Sequence, residues 1–164
     1  MNPTTVSPVS VRSATIEDVP VILGFIKRLA EYEKLAHEVL ATEADLRQTL
    51  FGKHPSAEVV IGECQGTPVG FALFFQSYST FLAKPGIYLE DLFVDPDCRG
   101  KGVGKALFVY LARLAVERGC GRFEWSVLDW NEPAIQFYKS MGATPLSGWT
   151  KFRLTGKSLA DLAK

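Results

Sequence analysis

Residues 95–107 read DPDCRGKGVGKAL and carry three glycines and three basic residues within seven positions, Arg99 to Lys105. A strand-like apolar run, Ile87 to Val94, precedes the stretch, and a helix-like run from Ala106 to Leu111 follows it. The start of a helix has unpaired N–H groups and a partial positive charge, so it attracts anions. Glycines remove the Cβ atoms that would hold a phosphate away from those groups. The composition allows either a phosphate-binding loop or a bare turn joining strand to helix. Two carboxylates, Glu90 and Asp91, interrupt the preceding apolar strand, where charge is costly without a purpose. In a regular strand they point to opposite faces, so both reach one site only if a bulge intervenes. Tyr138 follows Asn131 by seven residues, two helical turns, and shares its face.

Two nucleotide motifs are excluded. No register supplies Gly, four residues and then Gly-Lys-Ser/Thr. G-x-G-x-x-G fails because its third glycine falls on Lys105 or Leu107. What fits is Arg-x-x-Gly-x-Gly, spelled Arg99-Gly100-Lys101-Gly102-Val103-Gly104. Two histidines and three scattered cysteines, Cys64, Cys98 and Cys120, form no metal-ligand cluster, so no metal is expected. Neither His37 nor His54 adjoins Cys98 in sequence, which leaves that thiol as a small turn residue. Trp130 either walls an acyl channel or simply packs.

The elements that position these residues follow from periodicity and punctuation. Val9 and Val11 start a short strand. Thr15 caps a helix bearing Val19, Ile22, Leu23, Ile26 and Leu29 at helical spacing, and Thr42 opens a shorter helix to Leu50. Residues 57–64 and 69–76 read as a hairpin joined by Gln65-Gly66-Thr67-Pro68. The strand at 87–94 leads to a helix over 102–118, a strand over 122–128 and a helix over 131–141. A final strand is expected over 149–154, then a helical turn over 157–164. This order, β α α β β β α β α β, predicts a mixed central β-sheet flanked by helices, α+β or mixed α/β. Residues 87–128 form a strand–helix–strand unit that brings two strands parallel.

The length, 164 residues, suits one domain over residues 9–164 behind a loose tail, residues 1–8. Lys plus Arg balance Asp plus Glu at 18 each, so no global field favours nucleic acid or an anionic membrane. No run approaches the roughly 18 apolar residues of a bilayer span, and the N-terminus lacks a signal-peptide pattern. With an odd cysteine count the reading is a cytoplasmic protein.

Together YLEDLFV (88–94), the loop 99–104 and VLDWNEPAIQFYKSMGA (127–143) resemble the GNAT acetyltransferase superfamily, specifically its spermidine/spermine (diamine) branch. The subgroup acting on thialysine is the most similar, and LAEYEKL (29–35) and FGKHP (51–55) match as well. The resemblance implies a GNAT fold, acetyl-CoA as co-substrate and a homodimer. It implies that the backbone of Leu92, Phe93 and Val94 holds the acetyl and pantetheine arm. Arg99, Gly100, Lys101, Gly102, Val103, Gly104 and Lys105 would cradle the pyrophosphate. Asn131, Glu132, Pro133 and Ala134 would form a second cofactor segment, and Tyr138 would serve as general acid. Tyr32, Glu33, Glu90 and Asp91 would hold the amine, with Glu90 as its base. Tyr78-Ser79-Thr80-Phe81 departs from the polyamine enzymes, which carry an Asp and a Trp there, and so favours a small amine or amino acid. Lys84 is a candidate partner for an amino-acid carboxylate. Rival readings are acetylation of a protein or aminoglycoside amine, and a non-catalytic coenzyme A sensor.

Overall fold

The computed structural model describes residues 8–164, so the expected tail, residues 1–8, lies outside the described residues except for Pro8. The described chain falls into two compact units, one ending at Ser126 and one spanning Val127–Lys164.

The first unit is built on a five-stranded mixed sheet in sequential order. Its strands are β1 (Val9–Ser13), β2 (Glu58–Cys64), β3 (Thr67–Ser79), β4 (Lys84–Val94) and β5 (Arg122–Trp125). Neighbours pair antiparallel from β1 to β4, and β4 pairs parallel with β5, as the crossover demands. The hairpin between β2 and β3 is tighter than its sequence suggests, because Gln65 and Gly66 alone form the turn. Both adopt positive φ, 51° and 78°, the geometry a two-residue hairpin requires. Pro8 is bound as well, its carbonyl accepting from the Gln65 amide at 2.7 Å.

Helices cover the sheet. α1 (Val19–Tyr32) follows a 3-10 turn over Ile16–Asp18, and α2 (Glu43–Phe51) starts at Thr42, whose hydroxyl accepts from the Asp45 amide at 3.2 Å. The apolar face of α1 buries Val19, Ile22 and Phe25 against Ile61, Phe71 and Phe93 of three strands. α3 (Val103–Glu117) buries Val103, Leu107, Phe108, Leu111 and Ala115. Gly62 of β2 permits the close seat of that helix start, since a Cβ there would lie 2.8 Å from Val103 Cγ1.

A half-buried ion pair ties β1 to the entry of α1. Arg12 donates to both oxygens of Asp18 at 2.8 Å and to Glu63 at 2.7 Å. Asp18 is buried, and its hydrogen bonds from Arg12 hold its carboxyl down at about 2. Arg12→Met strands that carboxylate and is expected to destabilise the protein by about 2 kcal/mol in urea unfolding at pH 7. The stabilisation is present above the ordinary 3.8 and lost as pH falls through about 2, so the two proteins converge in acid.

The second unit holds α4 (Glu132–Ser140) and α5 (Gly156–Leu162). The strand expected over residues 149–154 is not formed. A strand exists only by pairing, and no described strand pairs with this segment, so Trp149 and Phe152 remain 85% and 90% exposed on irregular chain. β5 is also shorter than expected, ending at Trp125. Among the described residues no helix is long and apolar enough to cross a membrane.

Candidate active site

The register of β3 against β4 contains one irregularity, and it falls on the acidic pair. Leu73 lies opposite Asp91 and Phe74 opposite Leu89, so Glu90 is the extra residue of a β-bulge. The bulge breaks the alternation that would send Glu90 and Asp91 to opposite faces. Glu90 is exposed and Asp91 half-buried. Burial is the main influence on Asp91, and the charges of Glu90 and Glu33 add to it, raising its carboxyl from 3.8 to about 6. Burial also raises Glu33, the C-cap residue directly after Tyr32. Asp91 therefore feels the charge of two of the other residues expected to hold an amine.

The bulge coincides with a split in the sheet. β4 pairs with β5 from Gly86↔Arg122 to Leu89↔Trp125 and no further, whereas its pairing with β3 continues to Val94↔Gly70. From Glu90 to Val94 the edge of β4 turned away from β3 has no partner strand among the described residues. Backbone groups alternate between the two edges of a strand, and the Phe93 carbonyl faces Gly70 of β3, so Leu92 and Val94 present the groups that a bound chain-like ligand can pair with.

The loop that follows is a bare-backbone cradle. The Asp95 amide donates to Val69 O at 2.8 Å, a 3-10 turn spans Pro96–Cys98, and α3 begins at Val103. Gly100 and Gly102 take φ of 76° and 88°, conformations that disfavour any side chain. Cβ atoms built at either glycine would meet nothing within 4 Å, so open space lies beside this backbone. The Ala106 amide is bonded to Gly102 O at 2.9 Å, which leaves the amides of Val103, Gly104 and Lys105 without a helical acceptor. Lys101 and Lys105 are exposed beside them. Bare backbone, free amides, adjacent space and positive charge fit a diphosphate.

Arg99 is placed differently from its loop neighbours. Its Nε donates to the Val94 carbonyl at 3.2 Å, and its guanidinium lies 5.0 Å from the centre of the Tyr32 ring. Sequence reasoning missed this contact. It also missed Arg28, which pairs with Asp95 at the exit of β4 and lies over the rings of Phe25 and Phe93. The spacing Phe25, Arg28, Tyr32 (i, i+3, i+7) on α1 was the available signal for both. Lys84 and Glu90 stand six residues apart on one strand, one before and one after the stretch that pairs with β5.

In the second unit, Asn131 caps α4 by accepting from the Ala134 amide at 3.4 Å, and Pro133 sits in the first turn. Tyr138 lies two turns along, next to Phe137, their ring centres 5.7 Å apart. Among the described residues no group of three His, Cys, Asp or Glu side chains is placed to hold a metal ion.

Comparison with known proteins sets this arrangement in a family. The sequence model of the acetyltransferase (GNAT) family matches residues 26–143, a range reaching into both units. The chain is 38% identical to thialysine N-epsilon-acetyltransferase of Sus scrofa, covering 94% of this chain and 97% of that protein. It is 35% identical to L-ornithine N5-acetyltransferase of Arabidopsis thaliana, covering 94% and 87%. An integron cassette protein from the mobile metagenome of V. cholerae has a similar solved structure, with a TM-score of 0.80, 28% identity and coverage of 97% and 99%. The chain belongs to the GNAT acetyltransferase family and is an acyl-CoA-dependent N-acetyltransferase.

Proposed function

We propose that the protein transfers an acetyl group directly from acetyl-CoA to a primary amine of a small molecule: thialysine, a lysine-like amino acid or a short diamine. The observation that carries this reading is the bulge at Glu90. It breaks the alternation of Glu90 and Asp91 at the open edge of β4, and the charge of Glu33 reaches Asp91 there, which supports the attraction of an ammonium group next to an acyl-binding strand. The named relatives act on small amines, which supports the choice.

Acetyl-CoA supplies an activated acyl group as a thioester. The backbone of Leu92 and Val94 is assigned to its arm, and Gly100 to Lys105 to its diphosphate. Asn131, Glu132, Pro133 and Ala134 are assigned as further contacts.

The amine must be neutral to attack. A lysine-like ammonium of pKa ~10.4 costs ~4.6 kcal/mol to deprotonate at pH 7. Glu90 takes that proton, directly or through water, and Asp91, Glu33 and Tyr32 hold the cation before it is lost. Tyr138 donates its phenolic proton at the departing sulfur. The reading includes a homodimer in the cytoplasm.

Asp91 supplies a prediction with a defined sign. Because its folded pKa lies above its ordinary 3.8, its charge destabilises the folded protein increasingly from pH 3.8 to about 6 and fully above that. Asp91→Asn is therefore expected to raise Tm at pH 7.5, to leave it near wild type at pH 4, and to raise the KM for the amine. An unchanged Tm at pH 7.5 would show that the carboxylate is not strained by its neighbours.

The test of function is thiol release from acetyl-CoA with thialysine, lysine, putrescine, spermidine and an aminoglycoside. Turnover is expected with the small amines, led by the amino-acid type. Turnover with the aminoglycoside alone would overturn the acceptor class. Binding of acetyl-CoA without turnover of any amine would favour a sensor.

A further inference from the structure

We propose that Arg99 is a positioning residue that ties the diphosphate loop to the acceptor end of α1, so that cofactor and amine bind with positive coupling. The inference rests on the acetyltransferase reading above and deepens it.

Arg99 is the first residue of the loop motif, yet its contacts point to the other substrate. Its Nε is engaged by the carbonyl of Val94, the last residue of β4, and its guanidinium carbon lies over the ring of Tyr32, the last residue of α1, 5.0 Å from the centroid. Its side chain makes no other hydrogen bond to a described residue, while its amide donates to the Pro96 carbonyl at 3.3 Å. A guanidinium can stack by its face while its edge binds an oxyanion, which an ammonium cannot do. Arg99 can therefore serve both sides at once, its Nη groups meeting a diphosphate while Tyr32 is held beneath it.

The chain of contacts continues past Tyr32. Glu33 is the next residue, the C-cap of α1, and its charge is felt at Asp91 on the bulged strand. Anything that fixes Arg99 fixes Tyr32, and with it the end of α1 that carries Glu33. An amine arriving after the cofactor then meets a side-chain set already ordered, and linkage requires the amine to tighten the cofactor by the same factor. A cation–π contact at an exposed site sets the size of the effect at about two- to fivefold.

The test uses coenzyme A, which has no acetyl group to transfer, and whichever amine of the panel above is turned over fastest. Calorimetry measures the coenzyme A Kd with and without that amine at saturation. In the wild type the amine is expected to tighten coenzyme A about two- to fivefold. Arg99→Lys keeps a positive charge near the diphosphate but loses the planar face; Tyr32→Leu removes the ring. Both are expected to bring the ratio to one and to raise the KM of the amine several-fold with kcat little changed, and the double variant is expected to behave like either single one. A wild-type ratio of one, or a ratio that survives in both variants, overturns the inference while the enzyme remains an acetyltransferase. If the wild type neither binds coenzyme A nor acetylates an amine, the underlying reading fails and this inference with it.

Discussion

Replacing Tyr138 with Phe is expected to lower kcat about a hundredfold and to leave acetyl-CoA affinity within about twofold of wild type. General acids contribute roughly 10² to 10⁴ in rate. The low end is expected here because a thiol leaving group, pKa ~8.5, departs with less help than an alcohol or amine would need. A phenol of pKa ~10 is the weaker acid of the two, so the transfer needs a favourable hydrogen bond or nearby positive charge. The substitution removes one oxygen and keeps the ring next to Phe137. The Asn131 cap and the positive-φ Gly142 after the helix do not involve the hydroxyl. A fall in kcat without a change in cofactor Kd therefore reports chemistry and not a disturbed helix. Steady-state thiol release and calorimetry check the two halves, and a kcat within a few-fold of wild type removes Tyr138 from the reaction.

The second large effect is expected at Gly102. Its φ of 88° costs a side-chain-bearing residue roughly 1–2 kcal/mol, and a β-branched residue more. Gly102→Val must either accept that strain or move the loop, and its side chain enters the open space beside the amides of Val103 to Lys105. The KM for acetyl-CoA is expected to rise at least tenfold, with a fall in Tm. Gly119, at the other end of α3, has a φ of 67° and open space beside it as well. Gly119→Ala is therefore expected to lower Tm without changing that KM, which separates backbone strain from loss of the cradle.

The mixed sheet, the parallel pairing across the 87–128 crossover and the flanking helices were legible because their signals are local. Apolar runs bounded by glycine and capping threonines mark each element, and the loop at 99–104 carries its own chemistry in its composition. The bulge was legible only as a condition. Two adjacent carboxylates in an apolar strand ask for it, but register depends on the facing strand, where Leu73 and Phe74 give no sign of the shift. The contact of Arg99 with Tyr32 joins residues far apart in the chain, and helical spacing on α1 was its only trace. Asn131 was read as a cofactor contact, and its role as the cap of α4 is the part visible in local geometry. Residues 149–154 failed for the converse reason: β-forming residue types were present, but a strand also needs a neighbour, which composition cannot supply.

Calorimetric titration of acetyl-CoA into the wild-type protein and into Gly102→Val, side by side, tests the central claim most directly. Saturable uptake by the wild type, with affinity at least tenfold weaker in the variant, is the predicted result. No uptake by the wild type, or equal uptake by the two proteins, would contradict a diphosphate held by the amides at the start of α3.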